Sequence, residues 1–353
     1  MNRFLGLISF LLLLAPFSHG VDQDFNGGSV TSTTGVTSQP ASLAFIRREK
    51  RFSASVTSFD KTDFDFQGVN SIEEDRPFTM KPLYVGSAFS TQYGGWSLLI
   101  VNAPFEYRSE LIADTSGVQS LTDFKILGDA LAAQISTGWQ IGENWGLGGA
   151  LILSHAQIQF ANASFVSAPT VEIFSTSETR QEFKQIQAVL GTLYVLDEFV
   201  LGMKWVSSPA VVSSQGKTRT RSTQTALPTG APNYTDTKSN LKPEISHDHR
   251  IETGLRLGRK GFSYILSHDW QSSGMNTLRF AFEYVGGWGT ISTAVSAADL
   301  DQAAQKSLTL GFIKDHDNFK WGVGPYYREA KGANTNDLST TSWGVLYSSE
   351  IRY

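Results

Sequence analysis

Residues 131–153 read LAAQISTGWQIGENWGLGGALIL, and their pattern decides the fold. Leu131, Ala133, Ile135, Thr137, Trp139 and Ile141 occupy every second position, and Ala132, Gln134, Ser136, Gly138 and Gln140 fill the places between. After the turn formers Gly142-Glu143-Asn144 the alternation resumes, with Trp145, Leu147, Leu151 and Leu153 set against Gly146, Gly148, Ala150 and Ser154. A period of two gives a strand one apolar and one polar face, whereas a helix would repeat near 3.6. Two such strands joined by a short turn predict an antiparallel hairpin.

The same pattern runs outward in both directions. Later rows are Phe199, Leu201, Met203 and Trp205; then Ile245, Ile251, Leu255 and Leu257; then Phe262, Tyr264 and Leu266; then Leu278, Phe280, Phe282 and Tyr284. The spacing predicts strands at 51–60, 81–93, 95–107, 129–141, 145–160, 182–195, 199–212, 243–257, 261–271, 277–286, 289–297, 306–315, 319–329 and 341–353. That is an even set of fourteen, as a closed antiparallel membrane barrel requires. A soluble sandwich also alternates. The barrel is favoured by a small and polar second face, by segments long enough to cross a bilayer, and by Trp and Tyr near segment ends. Short links alternate with long polar ones, the latter expected as outer loops at 108–128, 161–181, 213–242 and 330–340.

Composition excludes other classes. The chain has 353 residues, 18% of them charged, 12% aromatic, with no cysteine and a formal net charge of -4. That leaves no disulfide framework, thiolate metal site or cysteine nucleophile, and no basic footprint for nucleic acid. Past the N-terminus no apolar run reaches the roughly 20 residues of a membrane helix. Met1–Gly20 carries Arg3, an apolar stretch from Phe4 to Phe17 and small residues at its end, which predicts a cleaved signal peptide. The expected organisation is a signal at 1–20, an N-terminal hatch at 21–48 and an all-β, 14-stranded transmembrane barrel at 49–353, placed in the bacterial outer membrane. The last segment puts Trp343, Val345, Tyr347, Ile351 and Tyr353 on one face. It looks like an outer-membrane targeting strand, which implies the barrel-assembly machinery as a partner.

Between signal and barrel, Thr37-Ser38-Gln39-Pro40-Ala41-Ser42-Leu43-Ala44-Phe45 resembles the N-terminal hatch of the long-chain fatty-acid transport barrels of the FadL type. That family has Asn-Pro-Ala where this chain has Gln39-Pro40-Ala41. Arg51–Phe59, the Leu131–Leu153 hairpin and Phe199–Pro209 are similar as well. The resemblance implies fourteen strands, a lumen plugged by the hatch, and a hydrophobic ligand (a fatty acid or hydrocarbon) leaving sideways at a kink of the third strand. Gln39, Pro40, Ala41 and Phe45 would then gate, with Gly27-Gly28 giving the hatch mobility. Asn102-Ala103-Pro104 would form the kink, since Pro cannot donate to a ladder; Pro104 lying past the membrane is the open alternative.

Arg250, Glu252, Arg279 and Glu283 fall on the polar face, either to hold a ligand head group or as an internal salt-bridge lattice. His247 and His249 share one strand face without a third ligand nearby, and Asp315-His316-Asp317 reads as turn chemistry. Gly146-Leu147-Gly148-Gly149 sits inside a strand with no helix following, so it is not a nucleotide loop. No cofactor, metal or enzymatic activity is expected. The other expected contacts are outer-membrane lipid and lipopolysaccharide, and a monomer is the expected state. A general diffusion porin, a barrel-type lipase or protease, and an adhesive barrel are the competing readings.

Overall fold

Alternation of this kind leaves each strand with unpaired N–H and C=O groups along both edges, and in lipid those edges must all find partners. The computed structural model of the chain, which describes residues 30–32, 39–46, 50–65, 80–102, 105–115, 118–241, 248–274, 276–300, 303–332 and 339–353, meets that demand by closure. A short 3-10 helix, Pro40–Phe45, precedes the strands. The first group is β1 (Lys50–Asp65), β2 (Met80–Thr91), β3 (Gly94–Asn102), β4 (Phe105–Thr115), β5 (Val118–Ile141), β6 (Trp145–Ala168), β7 (Val171–Leu196), β8 (Phe199–Val206) and β9 (Ala210–Ala226). The second is β10 (Asn233–Leu241), β11 (Arg250–Arg259), β12 (Phe262–Gln271), β13 (Asn276–Gly286), β14 (Gly289–Leu300), β15 (Ala303–His316), β16 (Phe319–Gly332) and β17 (Ser339–Arg352).

Three couples of segments are successive parts of single strands. β3 and β4 both pair with β5, β8 and β9 both pair with β7, and β11 and β10 pair with β8 and β9 respectively. Seventeen segments therefore make fourteen strands, each antiparallel to its neighbours, and β17 pairs with β1 to seal the cylinder. At the seam the backbones of Lys50 and Tyr353 exchange hydrogen bonds of 2.9 and 3.0 Å.

The two faces separate as the alternation predicts. One outward row passes strand to strand through Tyr194, Leu201, Leu255, Leu266, Phe280, Val295, Leu308, Tyr327 and Trp343. Most of these side chains are exposed although apolar, and a continuous belt of this kind faces lipid. At the short-turn end aromatic rings meet in sequence: Phe262 with Tyr284 at 4.8 Å, Tyr284 with Trp288 at 6.3 Å, Trp288 with Phe312 at 5.9 Å, and Phe312 with Trp321 at 5.7 Å. Amphipathic rings collect at a membrane interface. Ser97, Gln134, Ser136, Lys204, Glu252 and Asp269 point inward and are buried.

The long outer links are a correction. Most of 108–128, 161–181 and 213–242 is strand: β5 and β6 each run 24 residues and β7 runs 26. A tilted strand crosses the bilayer in about 9–11 residues, so these hairpins stand well above it. There both faces meet water, the apolar row is no longer required, and the sequence reads as loop. Cross-strand hydroxyl pairs run along the ladder instead, Ser164 with Ser175 at 2.7 Å, Thr179 with Thr218 at 2.9 Å and Ser222 with Thr235 at 2.6 Å.

Candidate functional site

Pro40 fixes the φ angle that the first position of a helix needs and has no N–H to leave unpaired there. The turn it starts is held by Ser42, whose N–H and Oγ both donate to the Gln39 carbonyl, at 3.1 and 2.7 Å. Gln39 is fully buried; its Nε2 donates to the carbonyls of Met203 at 3.1 Å, Thr192 at 3.3 Å and Val30 at 3.4 Å. One amide thus ties the N-terminal segment to β7 and β8. Leu43 and Ile46 pack with Tyr84, Ala88 and Leu99, while Ala41 and Phe45 pack with Leu193, Val195 and Val200.

The wall accepts this segment because it has lost its side chains there. Gly95 stands opposite Gly138, Gly138 opposite Gly148, and Gly148 opposite Gly191, a cross-strand row on β3, β5, β6 and β7. Gly202 and Gly254 form a second such pair on β8 and β11. A methyl group at Gly95 would come within 2.9 Å of the Leu43 carbonyl, at Gly138 within 2.9 Å of the Ala44 nitrogen, and at Gly202 within 2.5 Å of the Val30 carbonyl. Those separations are below contact, so backbone lies directly on backbone. Sequence reading found Pro40-Ala41 but missed this seat. Its signal was present as glycine recurring on the inward parity of neighbouring strands.

The sequence-selected charges do face inward, where they pair both along β11 and between strands. Glu252 sits between Lys204, at 2.9 Å, and Arg250, which reaches on to Asp269 at 2.7 Å; Arg279 lies 3.8 Å from Asp269. Glu283 takes Arg256 at 2.8 Å. Residues four apart on a strand are about 13 Å apart, too far for an ion pair, whereas the long Arg256 side chain on β11 reaches over the small Ser263 of β12, to whose Oγ it also donates at 3.4 Å, and meets Glu283 on β13. His249 faces outward with its ring 5.3 Å from Trp270; His247 lies outside the described residues.

Ala103 and Pro104, with Gly27 and Gly28, also lie outside the described residues, but the ladders around the third strand are informative. Asn102 pairs with Leu131 and Phe105 with Gly128, so β3 and β4 keep the same register against β5. On the opposite edge the β2–β3 ladder ends at Tyr84 and Val101, and β2 shifts register against β1 between Ser55 and Val56, where Pro82 is paired. Asn102 is thus the first third-strand residue beyond that ladder. Trp343, Tyr347, Ile351 and Tyr353 are exposed on the outward face of the closing strand.

Together these features define a closed fourteen-stranded transmembrane β-barrel with part of its N-terminal segment seated on the inner wall. No protein-family model matches the chain, and no curated protein matches it in sequence. Among solved structures it is similar to the P. putida toluene transporter TodX, with a TM-score of 0.70 at 11% identity over 96% of this chain and 98% of that one. The Ralstonia pickettii toluene transporter TbuX gives 0.57 at 11% identity, covering 96% and 99%. A Pseudomonas aeruginosa FadL homologue gives 0.59 at 11% identity, covering 96% and 98%. The fold is the one these FadL-type barrels share.

Proposed function

We propose that this chain takes up hydrophobic small molecules, hydrocarbons or fatty acids, across a bacterial outer membrane. The observation that carries the reading is the N-terminal segment seated on the glycine row, which puts backbone and apolar side chains where an open porin has water. A polar solute gains nothing from such a lumen. A greasy one gains about 0.8 kcal/mol for each methylene it removes from water. The solved barrels of the same fold, described as toluene transporters and a monoaromatic hydrocarbon channel, support the same class of cargo.

In this reading the N-terminal segment is the gate and the seam between β2 and the third strand is the exit. Cargo leaves sideways into the bilayer, so it never re-enters water. Pro82 and Pro104 each lack a ladder donor, which favours an opening there. The buried charges on β8, β11, β12 and β13 already satisfy one another and act as a lattice that stiffens the far wall. The test is accumulation of labelled toluene and labelled oleate by cells with and without the protein, beside a labelled sugar. Uptake of a hydrophobic label alone is the expected result. Equal enhancement of the sugar would make the chain a general porin.

A further inference from the structure

The outward face of β7 changes character at one height. From the short turn upward, Leu190 and Ile186 are exposed and apolar. The next residues on that face are Lys184, Glu182, Arg180 and Glu178. Leu196 to Ile186 is eleven residues, enough at barrel tilt to cross the roughly 25 Å apolar band, so Lys184 is the first side chain above the hydrocarbon.

The neighbouring strands continue the basic rows. Lys217 of β9 stands opposite Arg180, and Arg219 opposite Glu178. Lys238 of β10 stands opposite Arg219, and Arg221 opposite Asp236. The three strands therefore present six cations, Arg180, Lys184, Lys217, Arg219, Arg221 and Lys238, against four carboxylates, Glu172, Glu178, Glu182 and Asp236, in a chain whose net charge is -4. Two like-charge pairs, Arg180 with Lys217 and Arg219 with Lys238, face each other directly, an arrangement that costs stability unless an anion lies over it. Asp236 takes up Arg219, at 2.6 Å. Among the described residues Lys217 and Lys238 have no carboxylate within ion-pair distance.

We infer that this face of β7, β9 and β10 binds the phosphorylated head of an outer-leaflet glycolipid, lipopolysaccharide, whose acyl chains lie on the apolar row beneath. A free anion has no use for that row, and a neutral lipid has no use for the cations; an acylated molecule with several phosphates matches both. Arg and Lys meet phosphate oxygens through charge-assisted hydrogen bonds. The inference rests on the outer-membrane reading but does not involve the lumen.

The experiment titrates the full mature barrel in non-ionic detergent with purified lipopolysaccharide. It then repeats the titration on a variant combining Arg180→Gln, Lys184→Gln, Lys217→Gln and Lys238→Gln. Each basic residue near an anionic surface strengthens attachment, so the variant is expected to bind at least about tenfold more weakly, with unchanged heat-modifiable gel mobility. Should that variant lose its folded mobility, Lys217→Gln and Lys238→Gln alone carry the comparison, each weakening binding less. Inorganic phosphate and phosphatidylglycerol vesicles serve as separate arms. Unchanged affinity in the variants overturns the inference, as does binding of either control probe as tight as that of lipopolysaccharide. Failed hydrophobic uptake beside intact lipopolysaccharide binding would instead count against the transport reading alone.

Discussion

Gln39 and Gly138 show how much rests on single residues. Replacing Gln39 by Ala removes the amide that donates to Val30, Thr192 and Met203, and lost buried hydrogen bonds of this kind cost about 1–3 kcal/mol. The N-terminal segment should then leave its seat part of the time, raising steady current across a planar bilayer. Gly138→Val is expected to act more strongly, because its side chain would overlap the Pro40 carbonyl and the Ala44 nitrogen and no rotamer avoids the backbone. Current equal to the native value in both variants would show that seating does not limit flow. Outside the bilayer, Asp236 accepts hydrogen bonds from Arg219 at 3.0 and 2.6 Å, and chiefly for that reason its carboxyl is held below the usual aspartate range. The pair's contribution is thus complete above the ordinary aspartate value and disappears as pH falls through the lowered one. Amide exchange in β9 and β10 should therefore quicken, relative to its intrinsic rate, as pH falls below the ordinary aspartate value, and Asp236→Asn should flatten that dependence.

At the scale of elements, the third strand carries the most specific expectation. Pro104→Val supplies a backbone N–H three residues after Val101, the last third-strand residue in the β2–β3 ladder, so under the proposed exit hydrophobic uptake should fall severalfold while the barrel still folds. Uptake at the native level would remove the exit from that seam. The elements themselves were legible wherever the bilayer imposes a difference between faces: Leu131–Ile141 and Trp145–Leu153 pair as the alternation implies, with Ile135 opposite Leu151. Legibility ended where that difference ends. The stretch SSQGKTRTRSTQTA at 213–226 has no apolar row because both of its faces meet water, yet it is strand in β9. The candidate site divides in the same way. Pro40-Ala41 could be recognised from neighbouring residues alone, whereas Gly95, Gly138, Gly148 and Gly191 acquire their meaning only when β3, β5, β6 and β7 are set side by side. Glu283 and its partner Arg256 likewise lie on different strands, β13 and β11, and come together only in the assembled sheet.

For the whole molecule, fold and cargo follow from one division of surfaces. Apolar side chains cover the outside, where they meet lipid, and the inside is lined by small residues, self-paired charges and the N-terminal segment. Closure of the cylinder does not depend on that segment, since β1 and β17 pair with each other. A chain lacking residues 22–45 should therefore still fold and still migrate as a heat-modifiable barrel. Planar-bilayer conductance of the native protein and of this truncation tests the central claim most directly. The account predicts little steady current from the native barrel and large, stepwise conductance from the truncated one. A native barrel that conducts as freely as the truncated form would contradict it.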